Sequence, residues 1–186
     1  MNLRAWWHVK RSRFLAAFER NQAAVAALQE ALRIDPAYPG ARASLAYLLA
    51  MQGEHARSVE NFLVALELEP AKAALHFDLG FVYQQMQRHE EAVAAMREAV
   101  RHDPKLDRAW YGMGLSQRAL GRHEEAVRAF ERAAELQPMN GIAWFELGVT
   151  YHTLGRRREL EQVLQALSGF DPKLANRLVE ATRPRL

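Results

Sequence analysis

Three histidines recur at a spacing of 34 residues and are the first side chains to test as metal ligands: His55, His89 and His123. If equivalent positions lie on stacked helices, their separation is roughly 8–10 Å, whereas a histidine nitrogen binds zinc at about 2.1 Å. The three residues therefore cannot share one ion, and we interpret them as polar turn residues. We predict no metal site and no cofactor.

No nucleophile and base stand at a recognisable catalytic spacing. His-Glu-Glu at 89–91 and at 123–125 lacks the second histidine of a zincin helix, and Gly-Met-Gly at 112–114 lacks the rest of a phosphate-binding loop. Five serines are scattered along the chain, and there is no cysteine. The sequence therefore predicts no catalytic residue and a protein that is not an enzyme.

The charge of the chain is concentrated at its start. The formal net charge is +3, and residues 1–20 alone carry +4, so the other residues sum to −1. Binding to nucleic acid needs many cations on one face, and this balance gives no reason to expect it. The 49% hydrophobic content is enough for a buried core.

The pattern of apolar residues predicts no membrane span. No window approaches 18 consecutive apolar residues, and Lys10, Arg11 and Arg13 interrupt the only place where a secretory signal could lie. We expect a cytoplasmic protein, with a membrane-peripheral location as the alternative. Arginine strongly outnumbers lysine and alanine is abundant, which is associated with bacteria of GC-rich genome.

The elements that position these side chains follow the same period of 34 residues. The proline ladder consists of Pro36, Pro70, Pro104, Pro138 and Pro172. A column of small residues consists of Ser12, Ala46, Gly80, Gly114 and Gly148. Within each block, two apolar stripes of helical period are separated by a turn, so that each block is predicted to be a helix, a turn and a second helix. Small residues allow such helices to approach closely.

Blocks three to five carry the most specific residues of the pattern: Leu79-Gly80 with Tyr83, Trp110 with Gly114, and Trp144 with Leu147-Gly148 and Tyr151. In these residues the chain resembles the tetratricopeptide repeat (TPR) family. The resemblance implies an all-α fold, a right-handed α-solenoid of five helix-turn-helix repeats. The chain would then be a single solenoid over 1–186, with repeats at 5–38, 39–72, 73–106, 107–140 and 141–174.

Both ends depart from the family pattern. The first helix of repeat 5–38 is degenerate. The family pattern has an aromatic residue, leucine, glycine and tyrosine where this sequence has His8, Arg11, Ser12 and Leu15. After the fifth repeat, Leu174, Leu178 and Val179 offer an apolar face. We therefore predict a C-terminal capping helix over 173–182.

The resemblance also implies that the first helix of each repeat lines a concave surface. The side chains expected to point into this groove are Tyr47, Phe77, Phe81, Gln84, Tyr111, Leu115, Arg118, Phe145, Val149 and His152. Phe77, Tyr111 and Phe145 form an aromatic ladder, which would give a bound peptide or small domain a large contact area. The alternative is that these rings pack between adjacent repeats.

The groove lacks the carboxylate clamp of one well-defined TPR subclass. Members that grip a C-terminal carboxylate use basic residues and asparagine at the fifth and ninth positions of successive repeats. The corresponding residues here are Val9, Arg13, Ala43, Tyr47, Phe77 and Phe81. We therefore expect no binding of the acidic chaperone tails that those members recognise.

The basic, aromatic N-terminus is a possible second site, formed by Trp6, Trp7, Lys10, Arg11 and Arg13. Tryptophans beside cations suit an anionic membrane surface, a partner groove or nucleic acid. The alternative is a degenerate first helix whose cations are solvated and whose tryptophans cover the open end of the solenoid. The sequence thus predicts a non-enzymatic scaffold or adaptor for a protein or peptide. Alternatives are a membrane-peripheral adaptor, a regulatory or substrate-carrying module for a separate enzyme, and self-association through an open end.

Overall fold

The computed structural model describes residues 2–183, and these residues form eleven α-helices and no strand. The helices are α1 (Leu3–Ala17), α2 (Asn21–Ile34), α3 (Pro39–Met51), α4 (His55–Leu68), α5 (Ala73–Gln85), α6 (His89–His102), α7 (Asp107–Ala119), α8 (His123–Leu136), α9 (Gly141–Thr153), α10 (Arg157–Phe170) and α11 (Pro172–Ala181).

The helices belong to two compact units, one ending at Arg88 and the other beginning at His89. In the first unit, α1 packs against α2, α3 against α4, and α2 and α4 against the helix that follows each. In the second unit, α7 packs against α8 and α9 against α10, and α11 closes the series on α9 and α10. The organisation of the chain as a single solenoid of five repeats stays a prediction.

The degenerate first helix is packed along its whole length. Ala5, Val9, Ser12 and Leu15 are buried, and Val9 and Leu15 belong to the same core cluster as Leu28 of α2. The Ser12 hydroxyl donates to the Val9 carbonyl oxygen at 2.8 Å, so this polar group is buried with a partner. α1 therefore has one face fixed against α2 and the opposite face outside the core.

Each turn between the helices of a pair passes through the left-handed region of the backbone. Glycine occupies it at three places, with φ of 78° at Gly53, 74° at Gly121 and 70° at Gly155. Glu19 and Gln87, at the equivalent positions of the other two pairs, have φ of 57° and 58°. This conformation is sterically unfavourable for a residue with a Cβ, so these two turns carry backbone strain that the glycine turns do not.

A ring nitrogen holds the loop between successive pairs. Trp110 Nε1 donates to the Pro104 carbonyl oxygen and Trp144 Nε1 to that of Pro138, both at 3.0 Å. In the first unit, His76 Nε2 lies 2.8 Å from the Pro70 carbonyl oxygen. The periodic prolines thus supply an acceptor as well as ending a helix, because their carbonyl groups are left without a helical partner.

Two of the small residues in the first helices mark a close approach of a neighbouring side chain. A Cβ on Gly114 would lie 2.7 Å from the Phe130 ring of α8, and one on Gly148 would lie 2.5 Å from Leu178 Cδ2 of α11. Phe130 and Leu178 are both fully buried. The small column therefore makes room for specific large residues.

A second periodic feature lies on the helices α6, α8 and the start of α10. Arg122 binds both carboxylate oxygens of Glu90 at 2.6 and 2.9 Å, and Arg156 binds those of Glu124 at 2.8 and 3.0 Å. These exposed pairs join residues 32 positions apart in the chain. Each contributes little to stability by itself, because solvent screens the charges.

Candidate functional site

The first unit contains a groove bounded by α1, α3 and α5. Its larger cavity has a volume of about 490 Å³. Arg13 and Ala16 contribute from α1, Ala43, Tyr47 and Met51 from α3, and Asp78 from α5. The lining combines apolar side chains with a few polar groups, among them Arg13 and Asp78, which is the usual composition of a binding cleft.

A second cavity of about 220 Å³ adjoins the first, between α3 and α5. Tyr47, Met51 and Asp78 line both cavities, and Phe81 and Val82 of α5 line the second. The side chains of Tyr47, Met51 and Phe81 are between 49% and 62% exposed. A contiguous patch of exposed, large apolar side chains commonly marks an interaction surface.

The sequence-predicted groove residues of this unit are Tyr47, Phe77, Phe81 and Gln84. Tyr47 and Phe81 line the cavities and are exposed, whereas Phe77 and Gln84 are half-buried. Sequence reasoning missed Met51, which lies four residues after Tyr47 and therefore on the same helix face. This spacing is the signal that could have identified it.

In the second unit, the predicted residues are packed more tightly. Tyr111 and Phe145 pack against the buried cluster that contains Phe130, and the Tyr111 and Phe130 rings have centroids 5.9 Å apart. Burial raises the pKa of the Tyr111 hydroxyl, and the nearby carboxylate of Glu146 raises it further. Tyr111 is thus partly a core residue.

The charge of Arg118 is matched within the same unit. Its guanidinium forms an ion pair with Glu146 that links α7 to α9, and the two side chains are only 29% and 18% exposed. Glu146 was not among the predicted residues. Pairing at this depth removes most of the attraction that Arg118 would offer to an acidic partner.

The remaining predicted residues of the second unit differ in exposure. Arg177 of α11 lies over the Phe145 ring, 5.6 Å from its centroid. Leu115 and Val149 pack against the same buried cluster, and His152 is exposed. Among the predicted groove residues, the exposed apolar side chains are therefore Tyr47 and Phe81 of the first unit. The use of the aromatic ladder for binding stays a prediction.

The second candidate site, on α1, is divided by the structure. Arg13 lines the larger cavity of the first unit. Trp6, Trp7, Lys10 and Arg11 are exposed, with Lys10 Nζ 5.4 Å from the Trp6 ring centroid and the Arg11 guanidinium 5.7 Å from that of Trp7. Arg13 thus belongs to the groove, whereas Lys10 and Arg11 are on the exposed surface of α1.

The periodic histidines begin the second helices α4, α6 and α8. Within residues 2–183, no group of three or more histidine and acidic side chains could hold a metal ion. In the same part of the chain, no helix has the length and apolar character needed to cross a membrane.

Comparison with protein families gives the same family description for most of residues 10–167. A family model described as tetratricopeptide repeat matches residues 10–74 and 111–167, which is more than half of the sequence. A second model of the same description matches residues 73–106. No curated protein matches the sequence.

Several solved structures share the fold. The crystal structure of MamA protein has a TM-score of 0.86 at 19% identity, covering 95% of this chain and 96% of that one. MamA 41-end from Desulfovibrio magneticus RS-1 has a TM-score of 0.81 at 20% identity, covering 99% of each. YrrB, a TPR protein with an unusual peptide-binding site, has a TM-score of 0.80 at 20% identity, covering 93% of this chain and 90% of that one. These similarities confirm the predicted all-α helical-repeat fold.

Proposed function

Because the chain belongs to the tetratricopeptide repeat family, we propose that it is a non-enzymatic scaffold that binds a protein segment in the groove of its first unit. The observation that carries this proposal is the exposure of Tyr47, Met51 and Phe81 around two adjoining cavities. When a partner covers apolar side chains that the fold holds exposed, the removal of their surface from water favours binding. The similarity of the fold to YrrB, whose structure has a peptide-binding site, is consistent with this mode.

The shape of the groove favours a segment with at least two apolar side chains. Tyr47 and Met51 stand between the two cavities, so that one partner side chain enters on each side of them. The Tyr47 ring gives a rigid contact surface at a low entropic cost, and the flexible Met51 side chain adapts to different partner shapes.

The polar groups of the groove suggest recognition along the partner rather than at its end. Arg13 and Asp78 have opposite charges, and both line the larger cavity. A single arginine does not reproduce the set of basic residues and asparagine with which other family members hold a carboxylate. We therefore expect that amidating the C-terminus of a bound peptide leaves its affinity unchanged.

We propose further that the predicted residues of the second unit also contact the bound protein segment. Tyr111 and Phe145 keep part of their surface exposed while they pack against the core. Replacing them would perturb packing as well as binding, and they are poor probes of function for that reason. A cytoplasmic location and a bacterial source, both inferred from the sequence, complete the proposal.

The test uses a phage-displayed library of random peptides selected against the intact chain. The dissociation constants of the selected peptides are then measured for wild type, Tyr47→Ala and Phe81→Ala. Since an aromatic anchor at the centre of an interface contributes 2 kcal/mol or more, each substitution should weaken binding by about 30-fold. Selected peptides should be enriched in apolar residues.

A matched control is Leu63→Ala on α4, where an exposed leucine of the same unit lies outside both cavities. This variant should bind the selected peptides as wild type does, and all three variants should keep the wild-type melting temperature. Peptides that bind Tyr47→Ala and Phe81→Ala with wild-type affinity would show that the groove is not the binding site.

A further inference from the structure

The outward face of α1 carries an apolar stripe that no helix of its unit covers. The stripe consists of Leu3, Trp7 and Phe14 of α1 and of Phe18, the residue directly after this helix, and these side chains are between 54% and 73% exposed. The spacings of four and seven residues place Leu3, Trp7 and Phe14 on one helix face, opposite the buried residues Ala5, Val9 and Ser12. The Phe14 and Phe18 rings pack on each other with centroids 4.8 Å apart.

The stripe is accompanied by cations. Lys10 and Arg11 lie between its two apolar halves, and Arg4 lies at its edge. All three are exposed, and the sequence has no acidic residue before Glu19. An apolar surface with tryptophan and phenylalanine, interrupted and edged by basic residues, matches the amphipathic helices that lie in the headgroup region of a bilayer.

The symmetry of the stripe argues against a second copy of the chain as the occupant. Leu3 and Phe18, and likewise Trp7 and Phe14, are placed equally far from the midpoint between Lys10 and Arg11. Two copies paired about a two-fold axis would therefore bring four cations together at that axis. Such like-charge contact is unfavourable, whereas a negatively charged lipid surface would be attracted to the same cations.

We propose that this face of α1 docks on an anionic membrane surface, with the apolar stripe in the headgroup region and Lys10 and Arg11 against the lipid phosphates. α1 is held on α2 through Val9 and Leu15, so the helix is already formed and needs no ordering on the membrane. The helix lies parallel to the bilayer, because its opposite face remains in the protein core. The peptide groove of the same unit stays available, so that one molecule joins a bound protein segment to a membrane.

The test measures binding of the intact chain to vesicles of phosphatidylcholine alone and of phosphatidylcholine mixed with phosphatidylserine. Sedimentation gives the bound fraction, and the tryptophan emission should shift to shorter wavelength as Trp7 enters the interface. Each cation near an anionic surface changes the partition coefficient by roughly fivefold, so Lys10→Gln with Arg11→Gln should weaken binding by about 30-fold. Phe14→Ser with Phe18→Ser should also remove most of the binding.

The matched control is Arg157→Gln with Arg158→Gln, which removes two exposed charges at the start of α10. It should bind phosphatidylserine vesicles as wild type does. Equal binding of wild type to both kinds of vesicle, or an equal loss in the control, would overturn the proposal. Absence of vesicle binding together with a dimer that Phe14→Ser and Phe18→Ser dissociate in sedimentation velocity would instead assign the stripe to self-association.

Discussion

The contact between α9 and α11 provides a sharp test of how the last helices pack. Gly148 of α9 faces Leu178 of α11, and a Cβ built on Gly148 would lie 2.5 and 3.1 Å from the two Leu178 methyl carbons. It would also lie 3.2 Å from Val163 Cγ1 of α10. Leu178 is fully buried, so its methyl groups have little space into which to move. Gly148→Ala and Leu178→Ala, made singly and together, test this contact.

The expected energies follow from opposing effects. Alanine is favoured over glycine inside a helix by about 1 kcal/mol, whereas overpacking a core costs about 1–3 kcal/mol, so Gly148→Ala should destabilise by up to about 2 kcal/mol. Leu178→Ala should destabilise by about 2–5 kcal/mol, because it empties a buried site. In the double variant the new methyl group occupies part of the emptied space, and the steric cost disappears. The double variant should then be about 1–3 kcal/mol more stable than the sum of the two single effects predicts.

Urea unfolding followed by far-ultraviolet circular dichroism gives the free energy of unfolding for wild type and the three variants. Gly169→Ala is the matched control, since a Cβ at this helical position of α10 would meet nothing within 4 Å. That substitution should be neutral or stabilising by up to about 1 kcal/mol. Additivity of Gly148→Ala and Leu178→Ala within about 0.5 kcal/mol would refute the packing of α11 described above.

Two further predictions concern a strained turn and a buried hydroxyl. Gln87 has φ of 58°, so Gln87→Gly should raise the free energy of unfolding by up to about 1 kcal/mol. Gly121 has φ of 74°, so Gly121→Ala should lower the free energy of unfolding. Urea midpoints that move in the opposite directions would contradict this reasoning. The Tyr151 hydroxyl donates to Glu131 Oε1 at 2.5 Å. Burial raises the pKa of Tyr151 most, and this hydrogen bond raises it further. A pKa raised by folding contributes stability that is present below the unfolded-state pKa of about 10 and is lost above it. The stability advantage of wild type over Tyr151→Phe should therefore shrink as the pH rises beyond about 10, and a constant difference between the two unfolding free energies would count against the proposed hydrogen bond.

The sequence by itself determined the fold, because repetition makes a weak local signal strong. Five prolines at one period indicate where each helix pair ends, and five small residues at the same period indicate where neighbouring helices approach closely. The family and the all-α helical-repeat fold follow from this pattern and were correctly predicted. The same pattern placed Tyr47 and Phe81 on the first helices, because position along a helix fixes which face a side chain occupies.

Only the tertiary structure decided which of the candidate residues remain accessible. Phe77, Tyr111 and Phe145 have the same position in their repeats, yet Tyr111 packs on Phe130 and Phe145 lies beneath Arg177. Likewise, the pairing of Arg118 with Glu146 joins residues 28 positions apart, a relation that no local pattern encodes. The physical reason is that periodicity fixes the direction of a side chain from its own helix, whereas exposure depends on the neighbouring helix that meets it.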